Sequence, residues 1–141
     1  MTFIKQISGL FGVLLLSISA YGVEKKPYSQ ALFESLSAKD EVVLVDVYAD
    51  WCSTCAKQQK AIGAYLAANP DKPVHVLEVD FDKDKDAVKK LRAPRQSTLL
   101  IYKGGKQFWY SVAESRPEVI AAELDKALKF KPKKKAYKKK V

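Results

Sequence analysis

Cysteine, histidine, glycine and proline are all scarce in this 141-residue sequence. Two cysteines are too few for a disulfide-dense scaffold, and a single histidine leaves too few ligands for a zinc finger or ribbon. Six glycines and six prolines exclude a collagenous or linker-like chain. What the sequence does contain, 48% hydrophobic and 29% charged residues, is typical of one globular domain with a modest core.

The positive charge of the sequence is confined to its C-terminal end. The formal net charge is +9, but residues 126–141 contain nine lysines and no acidic residue, while residues 1–125 contain 16 basic and 16 acidic residues. Because the body is neutral and all of the excess positive charge lies in the tail, we do not expect a nucleic-acid partner. Residues 130–141 are predicted to form a Lys-rich disordered tail, because like charges at this density resist packing. Such a tail is either a solubilising extension or a contact for an anionic membrane surface.

The N-terminal end has the layout of a secretory signal. Lys5 provides an early positive charge, and an apolar run, broken only by serine and glycine, extends to Ala20. Ala20 and Gly22 satisfy the small-x-small cleavage rule, which predicts a signal peptide of residues 1–22; cleavage slightly earlier, at Ser19 or Ala20, is the alternative. The alternative is an uncleaved signal anchor, but the run is shorter than the ~20 apolar residues that span a bilayer. We therefore expect an exported, periplasmic protein in an oxidising compartment.

Between the two ends, the hydrophobic pattern predicts alternating helices and strands. The run Val42–Tyr48 is continuous and rich in β-branched residues, which indicates a strand buried on both faces. A strand–helix–strand order implies a right-handed parallel crossover, and Gly104-Gly105 between two β runs predicts a terminal hairpin. The predicted fold is α/β, a mixed central sheet flanked by helices, in a domain of residues 28–129. The predicted helices cover 28–38 (with Pro27 in the first turn), 53–68, 84–91 and a last helix from Arg116; the predicted strands cover 42–48, 74–79, 98–102 and 107–112.

Cys52 and Cys55 join the first buried strand to the helix that follows it. Two intervening residues at a helix start bring both sulfurs within disulfide geometry, and the helix N-terminus stabilises a thiolate at Cys52. We therefore expect Cys52 to attack a substrate disulfide, and the less exposed Cys55 to resolve the mixed disulfide. Haem attachment would need histidine where Ala56 stands, and a zinc site or a Cys–His hydrolase would have to use His75, which lies in a predicted strand. A structural disulfide would close too short a loop to stabilise much, and we predict no metal or cofactor.

The segment Val45–Cys55 resembles the active-site segment of the thioredoxin superfamily, with strand, acid, tryptophan and both cysteines in register. The Tyr48–Cys52 stretch is especially similar to the periplasmic C-terminal domain of the bacterial transmembrane thiol-disulfide reductases. The resemblance covers residues 28–128 and implies a thioredoxin-like fold and dithiol–disulfide exchange. It also implies that Asp46 is the buried acid that assists proton transfer to and from Cys55. Burial would raise the pKa of this carboxyl, whereas an Asp exposed at the strand edge is the alternative.

The sequence departs from the family at the residue expected to face the cysteine pair. Ser97 stands where the family has a cis-proline, and its hydroxyl could hydrogen-bond a thiolate. We expect a cis Gln96–Ser97 bond, so that the next strand begins beside the cysteines, and a Ser97→Pro variant that keeps the fold. The resemblance also implies that Trp51, Gln96 and Ser97 bind the substrate. The Ser53-Thr54 pair differs from the usual Gly-Pro or Pro-His and indicates no particular redox potential.

These features predict an exported thiol-disulfide oxidoreductase that exchanges a Cys52–Cys55 dithiol or disulfide with protein substrates. With only two cysteines, the protein needs a separate redox partner, either a membrane reductant or an oxidant. The alternative is a catalytically weak thioredoxin-fold binding or chaperone-like module, in which Ser97 marks lost catalysis and the Lys-rich tail docks. A further alternative is an iron–sulfur cluster that bridges two chains, which the missing proline would permit.

Overall fold

The computed structural model describes residues 25–131, so the predicted signal peptide and the tail beyond residue 131 lie outside the described part. Within that part, none of the helices is long and apolar enough to cross a membrane. The elements are β1 Lys26–Pro27, α1 Gln30–Ala38, β2 Val42–Tyr48, α2 Ser53–Ala68, β3 Val74–Asp80, α3 Lys85–Lys90, β4 Thr98–Lys103, β5 Lys106–Val112 and α4 Pro117–Lys129.

The strands form one mixed sheet in the order β1-β3-β2-β4-β5. Strands β1, β3 and β2 are parallel, whereas β4 is antiparallel to β2 and β5 is antiparallel to β4. Because β2 lies between β3 and β4, all of its residues except the last are buried. The crossover from β2 through α2 to β3, together with the β4–β5 hairpin, confirms the predicted α/β architecture.

Side chains of β2 alternate between two hydrophobic cores, one on each face of the sheet. Val42 and Leu44 pack in the core that α2 and α4 cover. The three valines at the odd-numbered positions 43, 45 and 47 pack in the other core, with α1 and α3. Asp46 therefore belongs to the face covered by α2 and α4. This face also receives the helix that begins with the cysteine pair.

The first helix begins later than the sequence predicts. Pro27 does not lie in its first turn but pairs with Glu78 as part of β1, a strand that the hydrophobic pattern does not predict. Helix α1 begins at Gln30, because the Ser29 hydroxyl caps it by accepting a hydrogen bond of 3.2 Å from the Leu32 amide. A strand of two residues has no periodicity, and only its pairing with β3 reveals it.

The turn between β4 and β5 is formed by two glycines in the left-handed region. Gly104 has φ 55° and Gly105 has φ 73°, values that residues with a Cβ rarely adopt. Two consecutive residues with positive φ suit the right-handed twist of the flanking strands. The hairpin predicted from the Gly-Gly pair is therefore confirmed.

Helix α4 ends at Lys129, and the residue after it still packs on the body. The ring centroid of Phe130 lies 5.2 Å from that of Phe108 in β5. The predicted boundary of the tail at residue 130 thus includes one residue with a tertiary contact.

Candidate active site

The two cysteines lie at the carboxyl end of the central strand, where the chain enters α2. A turn in which the Cys52 amide donates to the Ala49 carbonyl at 3.0 Å directs the chain from strand to helix. Cys52 is the N-cap of α2, and its sulfur accepts a hydrogen bond of 3.1 Å from the Cys55 amide. The two residues form a disulfide, with their Cα atoms 5.2 Å apart. The position of Cys52 at the helix N-terminus, where amides stabilise negative charge, is as predicted.

The two cysteines differ in their access to solvent. The exposed fraction is 7% for Cys52 and 1% for Cys55. Both pack in a small core with Ala49, against Tyr48 and Phe81. An incoming sulfur can therefore reach Cys52 more readily than Cys55, and the predicted difference in exposure is confirmed.

Ser97 places its hydroxyl against both sulfurs. Its Oγ lies 3.0 Å from Cys52 Sγ and 3.3 Å from Cys55 Sγ. Neither sulfur of a disulfide carries a hydrogen, so the serine hydroxyl is the donor in these contacts. The hydroxyl thus lies within hydrogen-bond distance of both sulfurs in the disulfide form, whereas its expected hydrogen bond to a thiolate concerns the reduced form and stays a prediction.

The backbone at Ser97 is not the one that the sequence predicts. No peptide bond within residues 25–131 is cis, so the expectation of a cis Gln96–Ser97 bond is wrong. Ser97 instead has φ 62°, in the left-handed region, and its carbonyl accepts a hydrogen bond of 2.8 Å from the Ala113 amide. Proline fixes φ near −65°, so this backbone is incompatible with proline. The cis bond, on which the expectation of a Ser97→Pro variant that keeps the fold depends, is therefore absent.

Gln58, which the sequence pattern does not single out, connects α2 to the loop that carries Ser97. Its buried side-chain nitrogen donates to the Ser97 carbonyl at 3.1 Å and to the Glu114 carbonyl at 2.8 Å. Its Oε1 has no hydrogen-bond partner in the described part of the chain. Gln58 lies three residues after Cys55 and thus on the same side of the helix. The sequence feature that could have indicated this role is a polar residue between Cys55 and Ile62, on the side of α2 that is otherwise apolar.

Asp46 is fully buried on the face of β2 that α2 and α4 cover, which excludes the exposed alternative. Neither of its carboxyl oxygens has a hydrogen-bond partner among residues 25–131. Burial raises the pKa of Asp46 to about 7; the positive charge of Lys25 opposes this rise, while the negative charge of Glu78 adds to it. Glu78 is the register partner of Asp46 on β3 and forms an ion pair of 3.4 Å with Lys25. The carboxyl is therefore able to gain and lose a proton near neutral pH.

Trp51 precedes Cys52 in the sequence, and Gln96 precedes Ser97, whose hydroxyl contacts the disulfide. Trp51 has an exposed fraction of 66%, and its indole N–H donates to Asp82 Oδ2 at 2.7 Å. Gln96, which precedes Ser97, is half-buried. A large aromatic ring held in solvent beside the more accessible cysteine provides a surface on which a polypeptide can pack.

His75 is remote from the cysteines. It pairs with Val43 near the start of β2, whereas the cysteines follow the end of that strand. Its Nε2 contacts a carboxylate oxygen of Glu41. In residues 25–131, no group of three or more His, Cys, Asp and Glu side chains is arranged to hold a metal ion. Because His75 lies at the other end of β2 from the cysteines, the geometry excludes a Cys–His nucleophile pair.

The sheet is mixed and flanked by helices, and a Cys-x-x-Cys disulfide lies at the start of the helix that follows the central strand. This arrangement defines the class of proteins that catalyse dithiol–disulfide exchange. The sequence model of the family described as "Thioredoxin" matches residues 24–126, which is more than half of the chain. The chain belongs to the thioredoxin family. Members of this family are thiol-disulfide oxidoreductases, and the chain carries the cysteine pair of that enzyme class.

Individual relatives agree with this assignment. The chain is 36% identical to Trxlp from Edwardsiella tarda EIB202, with a TM-score of 0.68 to its crystal structure, and the match covers 72% of this chain and 98% of that one. It is 33% identical to Thioredoxin-1 of Saccharomyces cerevisiae over 75 residues, 53% of this chain and 71% of that protein. It is 26% identical to the thioredoxin of Alicyclobacillus acidocaldarius over 96 residues, 68% of this chain and 90% of that protein. The expected thioredoxin-like fold is confirmed.

Proposed function

We propose that the protein is an exported, periplasmic oxidoreductase that exchanges its Cys52–Cys55 pair with protein thiols and disulfides. The observation that carries the proposal is the contact of the Ser97 hydroxyl with both sulfurs of a disulfide at a helix N-terminus. A hydroxyl donor and a helix N-terminus both stabilise a thiolate more than a neutral sulfur. A disulfide that served only to stabilise the fold would need neither group.

In the proposed reaction, the reduced protein first forms a mixed disulfide. The Cys52 thiolate attacks one sulfur of a substrate disulfide; a new S–S bond forms, the substrate S–S bond breaks, and the other substrate sulfur leaves as a thiolate. The Cys55 thiolate then attacks Cys52 Sγ, which closes the Cys52–Cys55 disulfide and releases the second substrate thiolate. The cysteine pair has lost two electrons and the substrate has gained two. The same steps in reverse oxidise a substrate dithiol.

Asp46 is the proton acceptor that we propose for the second step. Cys55 is almost fully buried, so its thiol needs a nearby base to become a nucleophile away from bulk water. Because burial raises the pKa of Asp46 to about 7, its carboxylate can accept this proton near neutral pH and can return it when the disulfide is reduced.

The proposed docking surface for protein substrates consists of the exposed Trp51 and the half-buried Gln96, together with Ser97, which is buried beneath them against the cysteine pair until a substrate sulfur approaches. Both cysteines of the chain belong to the exchange site, so a separate partner must regenerate it. A membrane-bound reductant is the partner that we propose, on the resemblance of the Tyr48–Cys52 stretch to the periplasmic C-terminal domain of transmembrane thiol-disulfide reductases. An oxidant is the alternative partner.

The proposed location rests on the two ends of the sequence. The signal-like residues 1–22 support export, and the Lys-rich tail supports contact with an anionic membrane surface near a membrane-bound partner. Cell fractionation followed by N-terminal sequencing tests export directly. We expect the protein in the periplasm with its first residue at Val23, or slightly earlier if cleavage occurs at Ser19 or Ala20; recovery of the chain from the cytoplasm with Met1 intact would refute export.

Reduction of insulin by the purified protein, with dithiothreitol as the electron source, tests the proposed reaction. We expect the wild-type protein to accelerate reduction, Cys52→Ser to abolish the acceleration, and Cys55→Ser to accumulate a mixed disulfide on Cys52. Ile62→Val, a buried substitution in the same helix, is the matched control and should retain the activity. A wild-type protein that is no faster than Cys52→Ser would favour the binding or chaperone-like module.

A further inference from the structure

Gln58 links the helix that carries Cys55 to two separate loops. Its side-chain nitrogen bridges the Ser97 carbonyl, at 3.1 Å, and the Glu114 carbonyl, at 2.8 Å. An amide nitrogen has two hydrogens, so both are used in these bonds. The residue is fully buried, which makes the bonds part of the interior rather than of a solvated surface.

The loop that carries Ser97 depends on such bonds. Ser97 has φ 62°, a sparsely populated conformation that persists only where its surroundings hold it. Its carbonyl accepts one hydrogen bond from the Ala113 amide and one from Gln58. Ala113 itself has φ 64°, so the amide that donates the first of these bonds belongs to a residue whose backbone conformation is also sparsely populated. The bond from Gln58 comes from a regular helix.

The second loop, which Gln58 also contacts, is fixed by an ion pair. Arg116 donates to the Glu114 carboxylate from Nε at 2.9 Å and from Nη2 at 2.6 Å. The Arg116 amide also donates to Glu114 Oε1, at 3.0 Å, so this carboxylate bonds both the side chain and the backbone of Arg116. The Glu114 carbonyl accepts the other bond from Gln58. One hydrogen of the Gln58 amide therefore bonds the Glu114 carbonyl, while the other bonds the Ser97 carbonyl.

We propose that Gln58 is a positioning residue that holds the Ser97 hydroxyl against the cysteine pair and thereby makes the pair a stronger oxidant. The inference deepens the proposed function. A hydroxyl donates a stronger hydrogen bond to a thiolate than to a disulfide sulfur, so its correct placement stabilises the reduced form. On reduction by two molecules of glutathione, two electrons break the S–S bond and glutathione disulfide forms. Of the two thiol protons released, Cys55 takes one and solvent takes the other, so that Cys52 keeps the negative charge.

The test is a double-mutant cycle that measures the equilibrium of the cysteine pair with glutathione. The four proteins are the wild type, Gln58→Met, Ser97→Ala and the double variant. Methionine keeps the length of the side chain, lacks donors, and also removes the unpartnered Oε1. We expect Gln58→Met to shift the equilibrium toward the disulfide by ~3- to 10-fold, where tenfold corresponds to about 30 mV, and to raise the apparent pKa of Cys52. In the Ser97→Ala background, the same substitution should shift the equilibrium less than about twofold, because the hydroxyl is already absent.

An equal shift in both backgrounds would show that Gln58 does not act through Ser97 and would overturn the inference. So would a folded Gln58→Met protein with the wild-type equilibrium. Ile62→Val is the matched control, because it lowers the stability of the same helix without removing a hydrogen bond, and it should leave the equilibrium unchanged. If Gln58→Met does not fold, Gln58→Asn, which withdraws the amide by one methylene, replaces it in the same cycle. No protein substrate is used, so failure of this cycle is distinguishable from failure of insulin reduction.

Discussion

The hydroxyl oxygen of Ser97 lies 3.0 Å from the sulfur of Cys52, at the position where the resemblance to the thioredoxin family implies a proline. A proline ring can pack against a sulfur but has no hydrogen to donate to it, whereas the serine hydroxyl does. The loop reaches the cysteines with a left-handed residue rather than with a cis peptide bond. The chemistry of the cysteine pair should therefore depend on this hydroxyl and on the backbone that presents it.

Replacement of Ser97 by proline should destabilise the protein by ~2 kcal/mol or more, because the native φ of 62° lies far from the −65° that proline requires. Urea unfolding of the oxidised protein measures the change. Ser97→Gly is the matched control: it removes the same hydroxyl but adopts positive φ freely, and it should stay within ~1 kcal/mol of the wild type. A Ser97→Pro protein as stable as the wild type would mean that the loop does not depend on this conformation.

The two cysteines of the reduced protein should differ in reactivity. Alkylation of Cys52 by iodoacetamide should show an apparent pKa below the free-thiol value of ~8.5, because the helix N-terminus and the Ser97 hydroxyl stabilise its thiolate. Cys55 should react much more slowly in the native state, since it is almost fully buried. Peptide mapping after timed alkylation distinguishes the two sites, with the urea-unfolded protein as the control. Equal rates in the native protein would refute the assignment of roles.

The stability of the protein should fall as pH rises from about 4 to above 7, because of Asp46. Its pKa is about 7 in the folded protein and near its ordinary value of 3.8 when unfolded. In this window the folded state binds more protons than the unfolded state, so the free energy of unfolding decreases with pH. The loss approaches ~4 kcal/mol at pH 8 as an upper bound. Asp46→Asn should therefore be more stable than the wild type at pH 8, and the difference should shrink toward pH 5.

Urea unfolding at several pH values measures this difference for the two proteins. The same Asp46→Asn variant should slow the resolution of the mixed disulfide near neutral pH by ~10-fold or more, since it has no carboxylate to accept the proton of Cys55. Parallel stability profiles for wild type and variant would show that the carboxyl does not titrate in this range.

Removal of residues 132–141 should leave the melting temperature and the exchange rate with small substrates nearly unchanged. The segment contains six lysines and no acid, so it has little apolar area to bury. The truncation should, however, weaken binding to vesicles of anionic phospholipid at low salt, with zwitterionic vesicles as the control. Phe130→Ala is the contrasting variant, because loss of its contact with Phe108 should lower stability by ~1 kcal/mol. A large loss of stability in the truncated protein would mean that the tail packs on the body.

The sequence was sufficient to locate the cysteine pair within the fold. Strand β2 is a continuous apolar run, and helix α2 follows a motif with a clear start, so their bounds agree with the prediction. The backbone of Ser97 could not be predicted in the same way. Its conformation depends on hydrogen bonds from Ala113 and from Gln58, and the latter is 39 positions away in the sequence. The role of Gln58 could not be predicted for the same reason, because the position of a polar residue in a helix does not indicate which loops its side chain contacts.

The reduction potential of the cysteine pair tests most directly whether Cys52 and Cys55 exchange electrons, as we propose, or form a structural disulfide. The protein is equilibrated with graded thiol–disulfide buffers, alkylated and analysed by mass. We predict one reversible two-electron transition with a midpoint between about −270 and −120 mV, the range of redox-active cysteine pairs. A pair that remains oxidised below about −300 mV, as structural disulfides do, would contradict the account.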